Sequence, residues 1–291
     1  MPAVEEGTSD PASLGHAYQI LARILANRLD WYKALEGETL APPPAPIPHT
    51  LDQGWLARHR GAALEGLAAA EMPGFMEISH SVRDSVIEKS QGELLAAARQ
   101  AQVRGSGWPI GIVLDHSRNV RPKATNDGIV VNFAASGLGR TFDYWTLNTS
   151  GDFLALTSLN EDAEERGSRP VLFFDTRIAR ATEAVMHCAN LYKALGVDPN
   201  AHIDMVVRYG GLRGRILQSS SPRRLLFEAK ENTAEDEVSV ALVVRLGAIE
   251  SLLVETVKKL CKPLFVVFEF ESFTEQVYQG IVSEFVGRRI S

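Results

Sequence analysis

The fold is decided by two linked segments, residues 169–196, RPVLFFDTRIARATEAVMHCANLYKALG, and residues 202–224, HIDMVVRYGGLRGRILQSSSPRR. In the first segment, apolar side chains recur at steps of three and four residues, at positions 178, 181, 185, 188, 192 and 195. This period places them on one face of a helix over residues 175–195, which Asp175 or Thr176 can cap at its start. We expect this helix to pack across a sheet.

The second segment predicts a strand over residues 202–209 and then a turn that is rich in glycine and arginine. Glycines let a backbone approach a ligand and expose its N–H groups, and guanidinium groups suit phosphate or carboxylate. The turn is therefore the leading candidate for an anion-binding site. Its candidate ligand-binding residues are Arg208, Gly210, Gly211, Arg213, Gly214 and Arg215.

The same turn also has a structural interpretation. Its spacing, G-G-x-x-G-R, matches neither the P-loop nor the dinucleotide-binding fingerprint. Acidic runs occur at residues 161–165 and 228–237, and the arginines can pair with such residues inside the fold. The run at 161–165 is most simply a solvated loop. On this interpretation the turn is a hairpin that ion pairs stabilise.

The composition is that of a globular protein, with 45% apolar and 23% charged residues in a chain of 291. The net charge of −6 opposes a broad electrostatic grip on nucleic acid. The charge is uneven, however, because residues 204–224 carry five arginines and one acid. The basic segment 208–224 can therefore bind a nucleotide, a nucleic-acid backbone or an acidic partner.

The two cysteines, Cys188 and Cys261, fall on apolar faces of predicted helices and have no metal-site spacing. We interpret both as core residues. The N-terminus is polar and acidic, and no apolar run reaches the ~20 residues that span a bilayer. These features favour a cytoplasmic protein with no membrane partner, and no motif calls for a metal or a cofactor.

Residues 1–50 form a region apart from the rest of the chain. Apolar residues at helical spacing predict an amphipathic helix over residues 14–32, and APPPAPIP at 41–48 predicts a stiff polyproline linker. The helix offers a surface for a protein partner or for an oligomer, so a structural oligomerisation protein is one alternative function. The predicted regions are an N-terminal helix over 1–40, a proline-rich linker over 41–50 and an α+β domain over 51–291.

Within the α+β domain we expect a largely antiparallel sheet with flanking helices. Residues 141–148 and 153–159 alternate and are separated by a short turn, which predicts a β-hairpin. Pro263 is expected to end the helix that begins near residue 249. The other predicted strands cover residues 109–114, 128–133, 202–209, 215–217 and 238–246, and the other predicted helices cover residues 55–70, 91–102 and a C-terminal segment after the capping box at 272–275.

An enzymatic alternative depends on one residue upstream of the turn and two residues downstream of it. Asp204, Glu228 and Lys230 loosely match the D…E-x-K pattern of metal-dependent nucleases, in which two carboxylates hold Mg²⁺ and the lysine orients water. A charged surface strand explains the same residues. His187 and Cys188 are adjacent on a helix and point in different directions, so we interpret Cys188 as core and His187 as lying at its edge.

Several runs resemble sequences of uncharacterised bacterial proteins of the Schlafen type. These runs include GWPIGIVL, FDYWTL, GDFLALTSLNED, FFDTRIARATEAVMHCANLYKALGV and YGGLRGR, and the resemblance covers residues 52–286. Such proteins carry an AlbA-like nucleic-acid-binding domain before this region, and the ~50 residues that precede it here are too few for such a domain. The resemblance implies an accessory or sensing module, and it identifies no catalytic residues.

These observations favour a non-enzymatic bacterial module that binds a protein partner or an anionic, phosphate-containing ligand through the glycine and arginine turn. The expected binding residues are those of the turn, and the expected partners are an acidic protein, a nucleotide or nucleic acid. The alternatives are a metal-dependent nuclease or phosphodiesterase and a structural oligomerisation protein.

Overall fold

The structure is a computed structural model that describes residues 51–83, 85–105, 108–114, 121–135, 140–163, 170–224, 226, 230–232, 234–270 and 273–287. The predicted helix over 14–32 and the predicted linker over 41–50 lie outside the described residues.

The described chain alternates between strands and helices. The helices are α1 (Gln53–Ala69), α2 (Gln91–Ala101), α3 (Phe174–Ala194), α4 (Leu253–Val266) and α5 (Glu275–Gly287). The strands are β1 (Phe75–Val82), β2 (Lys123–Ala124), β3 (Gly128–Ala135), β4 (Thr141–Asn148), β5 (Phe153–Ser158), β6 (Val171–Phe173), β7 (His202–Gly210), β8 (Ile216–Gln218), β9 (Lys230–Glu231) and β10 (Glu237–Arg245).

Seven strands form the main sheet, in the order β10-β7-β1-β5-β4-β3-β2, and every neighbouring pair is antiparallel. Strand β1 lies inside the sheet, where Ile78 is opposite Ala155 of β5 on one side and Val207 of β7 on the other. A second sheet contains β6, β8 and β9, with β6 and β8 parallel. The α+β class with a largely antiparallel sheet is therefore confirmed.

Helix α3 lies across one face of the main sheet, which we call the inner face. Its apolar side chains, such as Ile178, Val185 and Tyr192, join a core with inward residues of the strands, such as Trp145 and Phe153. Helices α2, α4 and α5 pack around α3. Because neighbours surround α3 on most sides, even its polar side chains are buried.

Helix α1 covers part of the opposite face. Leu67 packs against Phe142 and Leu156 of the sheet in a second, smaller core. A Cβ at Gly66 would lie 2.6 Å from the Phe142 ring, so the helix can approach the sheet closely only with glycine at this position. Within this face, His59 Nδ1 lies 2.6 Å from the hydroxyl of Tyr144.

Three local expectations were wrong. Residues 75–82 had no predicted strand and form the interior strand β1, in which all eight positions are buried, including the polar residues Glu77, Ser79 and Ser81. Residues 109–114 form no strand, because Ile110 N–H bonds to the carboxylate of Glu183 and the 112 carbonyl bonds to Trp145. Pro263 lies inside α4 and does not end it.

The turn after β7 leads into the smaller sheet. Residues 216–218 form β8, which pairs in parallel with β6 just before α3 begins. The basic segment 208–224 therefore passes from the main sheet to the N-terminal end of α3. Among the described helices, none is long and apolar enough to cross a membrane.

Candidate functional site

Arg215 is buried and bonds only to groups of the fold. Its Nε donates to the Gly211 carbonyl at 2.5 Å, and Nη1 donates to the Val171 carbonyl at 2.9 Å. Its Nη2 donates to Asp162 Oδ2 at 2.7 Å, and both side chains of this ion pair are almost fully buried, at 1% and 6% exposure. Arg215 thus joins the glycine turn to β6 and to the 3₁₀ turn that follows β5.

Arg208 also has an internal partner. It lies opposite Glu77 in the β1–β7 register, and its Nη1 donates to Glu77 Oε1 at 2.8 Å. The second oxygen of Glu77 accepts from Nε of Arg60 on α1 at 2.7 Å. Glu77 is only 3% exposed, so two guanidinium groups neutralise one buried carboxylate and join α1 to the sheet.

The glycines of the turn allow close packing and a tight bend. Gly211 has φ +69°, and a Cβ there would lie 2.0 Å from the Pro73 carbonyl oxygen. A Cβ at Gly210 would lie 2.2 Å from the Phe75 ring. Gly214 has φ +76° and open space around it, so its backbone conformation alone favours glycine.

Arg213 is the exposed arginine of the turn. Its backbone N–H donates to Asp236 Oδ1 at 3.2 Å, and no described residue pairs with its guanidinium group. The six predicted site residues therefore do not converge on one pocket. Arg208 and Arg215 bond to Glu77 and Asp162, which matches the structural interpretation of the turn.

Two of the three predicted nuclease residues, Asp204 and Lys230, lie in different sheets. Asp204 lies on β7 and accepts two hydrogen bonds from Arg83. Lys230 belongs to β9 in the smaller sheet, and Glu228 lies outside the described residues. Among the described residues, no group of three or more His, Cys, Asp or Glu side chains could hold a metal ion.

A cleft lies where the basic segment meets α3. Its volume is about 470 Å³, and its walls come from the first turns of α3, from the end of the basic segment and from α5. Three of the lining residues are apolar: Ala179 of α3, and Ile281 and Phe285 of α5. The other lining residues are polar or charged: Asn160, Asp175, Thr176, Arg180, Ser220, Ser221, Arg223, Arg224 and Glu284.

Asp175 holds the end of the basic segment against α3. Its carboxylate accepts from the Ser219 hydroxyl at 3.1 Å, and from the Ser220 N–H and hydroxyl at 2.9 Å each. Helix α3 begins one residue earlier than predicted, so Asp175 lies in its first turn and binds the neighbouring segment. The contact places the following serine and arginines beside a helix N-terminus, which carries partial positive charge.

Behind the cleft, the first half of α3 carries a buried network of charges. Arg177 pairs with Glu161 at 2.8 Å, and both side chains are almost completely buried. Arg180 donates to Glu183 at 2.6 Å and to the Trp108 carbonyl at 2.9 Å. Because Arg180 also lines the cleft, it connects the cleft wall to this network.

Two carboxyl groups near Arg180 have perturbed acidity. Burial raises the pKa of Asp143 to about 6, although the positive charge of Arg180 opposes this shift. Burial also raises the pKa of Glu183, again against the effect of Arg180. Both carboxyl groups lie behind the cleft wall and are not part of its lining. Glu183 holds Arg180 in position through their hydrogen bond.

Sequence reasoning missed most of this network. The acidic run at 161–165 was expected to be solvated, yet Glu161 is buried in an ion pair with Arg177, and the side chain of Asp162 is only 6% exposed in its ion pair with Arg215. The apolar period of α3 indicated one buried face, whereas the helix is buried on nearly all sides. One part of the network could have been predicted from the sequence: Arg180 and Glu183 are three residues apart on one helix, a spacing that allows an ion pair.

Comparison with protein-family models, with curated proteins and with solved structures finds no match. The resemblance to Schlafen-type proteins therefore stays a prediction.

Proposed function

We propose that the chain is a binding module for a small phosphate-bearing ligand, which occupies the cleft between α3, α5 and the end of the basic segment. The observation that carries the proposal is the cleft lining, in which Arg223 and Arg224 accompany the hydroxyl of Ser221. Guanidinium and hydroxyl donors beside a helix N-terminus match the acceptor oxygens of a phosphate group. The proposal keeps the predicted ligand class and moves the site from the glycine turn to residues 220–224.

The size and charge of the cleft support this ligand class. A volume of about 470 Å³ falls within the range of small-molecule sites. Its lining contains three arginines against two carboxylates, Asp175 and Glu284. The charge of Asp175 is offset by the hydroxyl and N–H donors of Ser219 and Ser220. Arg180 pairs with Glu183 and Arg224 pairs with Glu284, so Arg223 supplies the positive charge that is left for an anion.

Glu284 forms an ion pair with Arg224 and therefore competes with a ligand for this guanidinium group. The side chains of Arg224 and Glu284 are 32% and 42% exposed, so solvent weakens the pairing. A phosphate group offers more oxygens than a carboxylate and can displace Glu284 from the Arg224 guanidinium. On the same helix as Glu284, Ile281 and Phe285 offer apolar surface to the uncharged part of a ligand.

The proposal also includes the kind of protein and its location in the cell. In line with the sequence-based expectation, the chain would act as a non-enzymatic accessory or sensing module in the bacterial cytoplasm. The supporting observation is that the groups lining the cleft are donors suited to binding, while the acidic groups with raised pKa lie behind its wall.

Calorimetric titration with inorganic pyrophosphate and with ATP, at low ionic strength, tests the proposal. The double substitution Arg223→Ala and Arg224→Ala should weaken binding by about 100-fold, because each charge-assisted contact contributes ~1.5–3 kcal/mol. Arg213→Ala is the matched control, since it removes an exposed arginine of the same segment outside the cleft. The proposal would be contradicted if the wild type bound neither pyrophosphate nor ATP, or if the control variant lost as much affinity as the double variant.

A further inference from the structure

Strand β10 is a long and unprotected edge of the main sheet. Among the described residues it pairs only with β7, and its nine residues, EVSVALVVR, include no proline and no lysine. The opposite edge strand, β2, has two residues, includes Lys123 and follows Pro122. Short length, lysine and proline are features that keep sheet edges from pairing, so β10 lacks the protection that β2 has.

The backbone groups of β10 alternate between its two sides. The N–H of Leu246 donates to the carbonyl of Ala201 at 3.0 Å, in the same register as the β10–β7 pairs. Even-numbered residues therefore bond to β7, and odd-numbered residues direct their N–H and C=O groups away from it. The outward row consists of Glu237, Ser239, Ala241, Val243 and Arg245.

We propose that β10 pairs with β10 of a second copy of this chain, antiparallel about a two-fold axis at Ala241. In this register all nine residues are paired, and odd-numbered residues meet odd-numbered residues, as the outward hydrogen bonds require. Glu237 lies opposite Arg245 of the second copy at both ends of the ribbon. Other registers that keep odd residues together leave strand ends unpaired and separate these two charges.

The side chains fit this symmetric pairing on both faces. On the inner face Val238 lies opposite Val244, and Val240 lies opposite Leu242, so apolar residues meet apolar residues. Opposite charges that face each other across strands stabilise pairing, whereas like charges destabilise it. The same surface serves both copies, as a two-fold interface requires.

A groove beside the strand supports a partner of this shape. It measures about 420 Å³ and is lined by residues 242–245 of β10, by Leu252 just before α4, and by residues of α4 such as Lys259. Val243 and Leu252 are each 48% exposed, although both are large and apolar. A second β10 along this edge would cover them, with its inner-face valines directed towards the groove.

Sedimentation equilibrium of the full chain and two charge variants tests the register. The wild type should form a dimer. Glu237→Arg places two guanidinium groups opposite each other at each end, and Arg245→Glu places two carboxylates there, so each variant alone should dimerise roughly tenfold or more weakly. An equimolar mixture restores opposite charges at both ends and should recover wild-type dimerisation.

A second pair of variants tests the hydrogen bonds. Ala241→Pro removes an N–H that faces outward and leaves the ladder to β7 intact, so the chain should fold and its dimer should weaken by roughly 30-fold. Ala241→Ser keeps the N–H and should dimerise as the wild type does. A monomeric wild type, a dimer that none of these changes weakens, or variants whose mixture stays monomeric would overturn the proposal.

Discussion

Arg215 is almost fully buried, and its three guanidinium nitrogens all bond to groups of the fold. A buried guanidinium group is stabilised only while its partners remain, because transfer of a charge from water into the interior is costly. Arg213 lies two residues away and is exposed. The two neighbouring arginines therefore differ in function, one holding the turn in place and the other facing solvent.

Replacement of these two arginines should affect stability very differently. Arg215→Ala should lower the free energy of unfolding by ~3–5 kcal/mol, because it leaves the buried carboxylate of Asp162 without its ionic partner. Arg213→Ala should change that free energy by less than ~0.5 kcal/mol. Urea denaturation of the two variants measures both values. Equal effects would show that Arg215 does not stabilise the turn.

His187 is a fully buried residue whose titration opposes folding at low pH. Burial lowers the pKa of its ring to about 3, and neither ring nitrogen has a hydrogen-bond partner in the described structure. The ordinary pKa of histidine is near 6.5, so the unfolded chain binds a proton that the folded chain excludes. The folded state therefore loses stability as pH falls from about 6.5 towards 3.

His187→Leu should remove this pH dependence. At pH 7.5 the free energy of unfolding should stay within ~1 kcal/mol of wild type, because leucine fills a similar volume and leaves no ring nitrogen unpaired. At pH 4.5 the variant should be ~2–3 kcal/mol more stable than wild type, from a two-unit interval at 1.36 kcal/mol per unit. Urea denaturation at both pH values checks this, and an equal difference at the two values would contradict it.

At the scale of secondary-structure elements, helix α3 connects the core of the sheet to the cleft. Its apolar positions pack on the sheet, and its first half carries the charges that lie behind the cleft. Helix α5 closes the other side of the cleft through Ile281, Glu284 and Phe285. The balance between the Arg224–Glu284 pair and an incoming anion therefore belongs to the contact between α5 and the basic segment.

Removal of the competing carboxylate on α5 should strengthen ligand binding. Glu284→Gln keeps the size of the side chain and deletes the charge that pairs with Arg224, so pyrophosphate should bind about 3- to 10-fold more tightly. Glu275→Gln is the matched control, because it makes the same change at an exposed position at the start of α5. Titration calorimetry compares the two, and unchanged affinity in Glu284→Gln would contradict the competition.

Elements with a clear local period could be predicted from the sequence. The helix predicted over 175–195 is observed at Phe174–Ala194, and the predicted hairpin is observed as β4 and β5. The interior strand β1 was missed although Met76, Ile78 and Val82 alternate with the polar residues Glu77, Ser79 and Ser81, and both of its faces are buried. Local patterns report the period of a segment and contain little information about what covers it.

At the scale of the whole molecule, the sequence does not show which charged residues of the site pair with each other. Arg177 pairs with Glu161 and Arg215 pairs with Asp162 across 16 and 53 positions of sequence. These contacts exist because β6, α3 and β8 converge at one end of the fold. The glycine and arginine composition correctly marked an unusual segment, whereas only the tertiary structure separates its buried half from the half that faces the cleft.

The central claim is that residues 208–215 stabilise the fold while residues 220–224 bind a phosphate-bearing ligand. The most direct measurement is a map of backbone amide chemical shifts during titration of the full chain with pyrophosphate. We expect the largest changes in chemical shift at Thr176, Ser220, Ser221 and Arg223, with little change at Gly210–Gly214. Shifts centred on the glycine turn, or no specific shifts at saturating pyrophosphate, would contradict it.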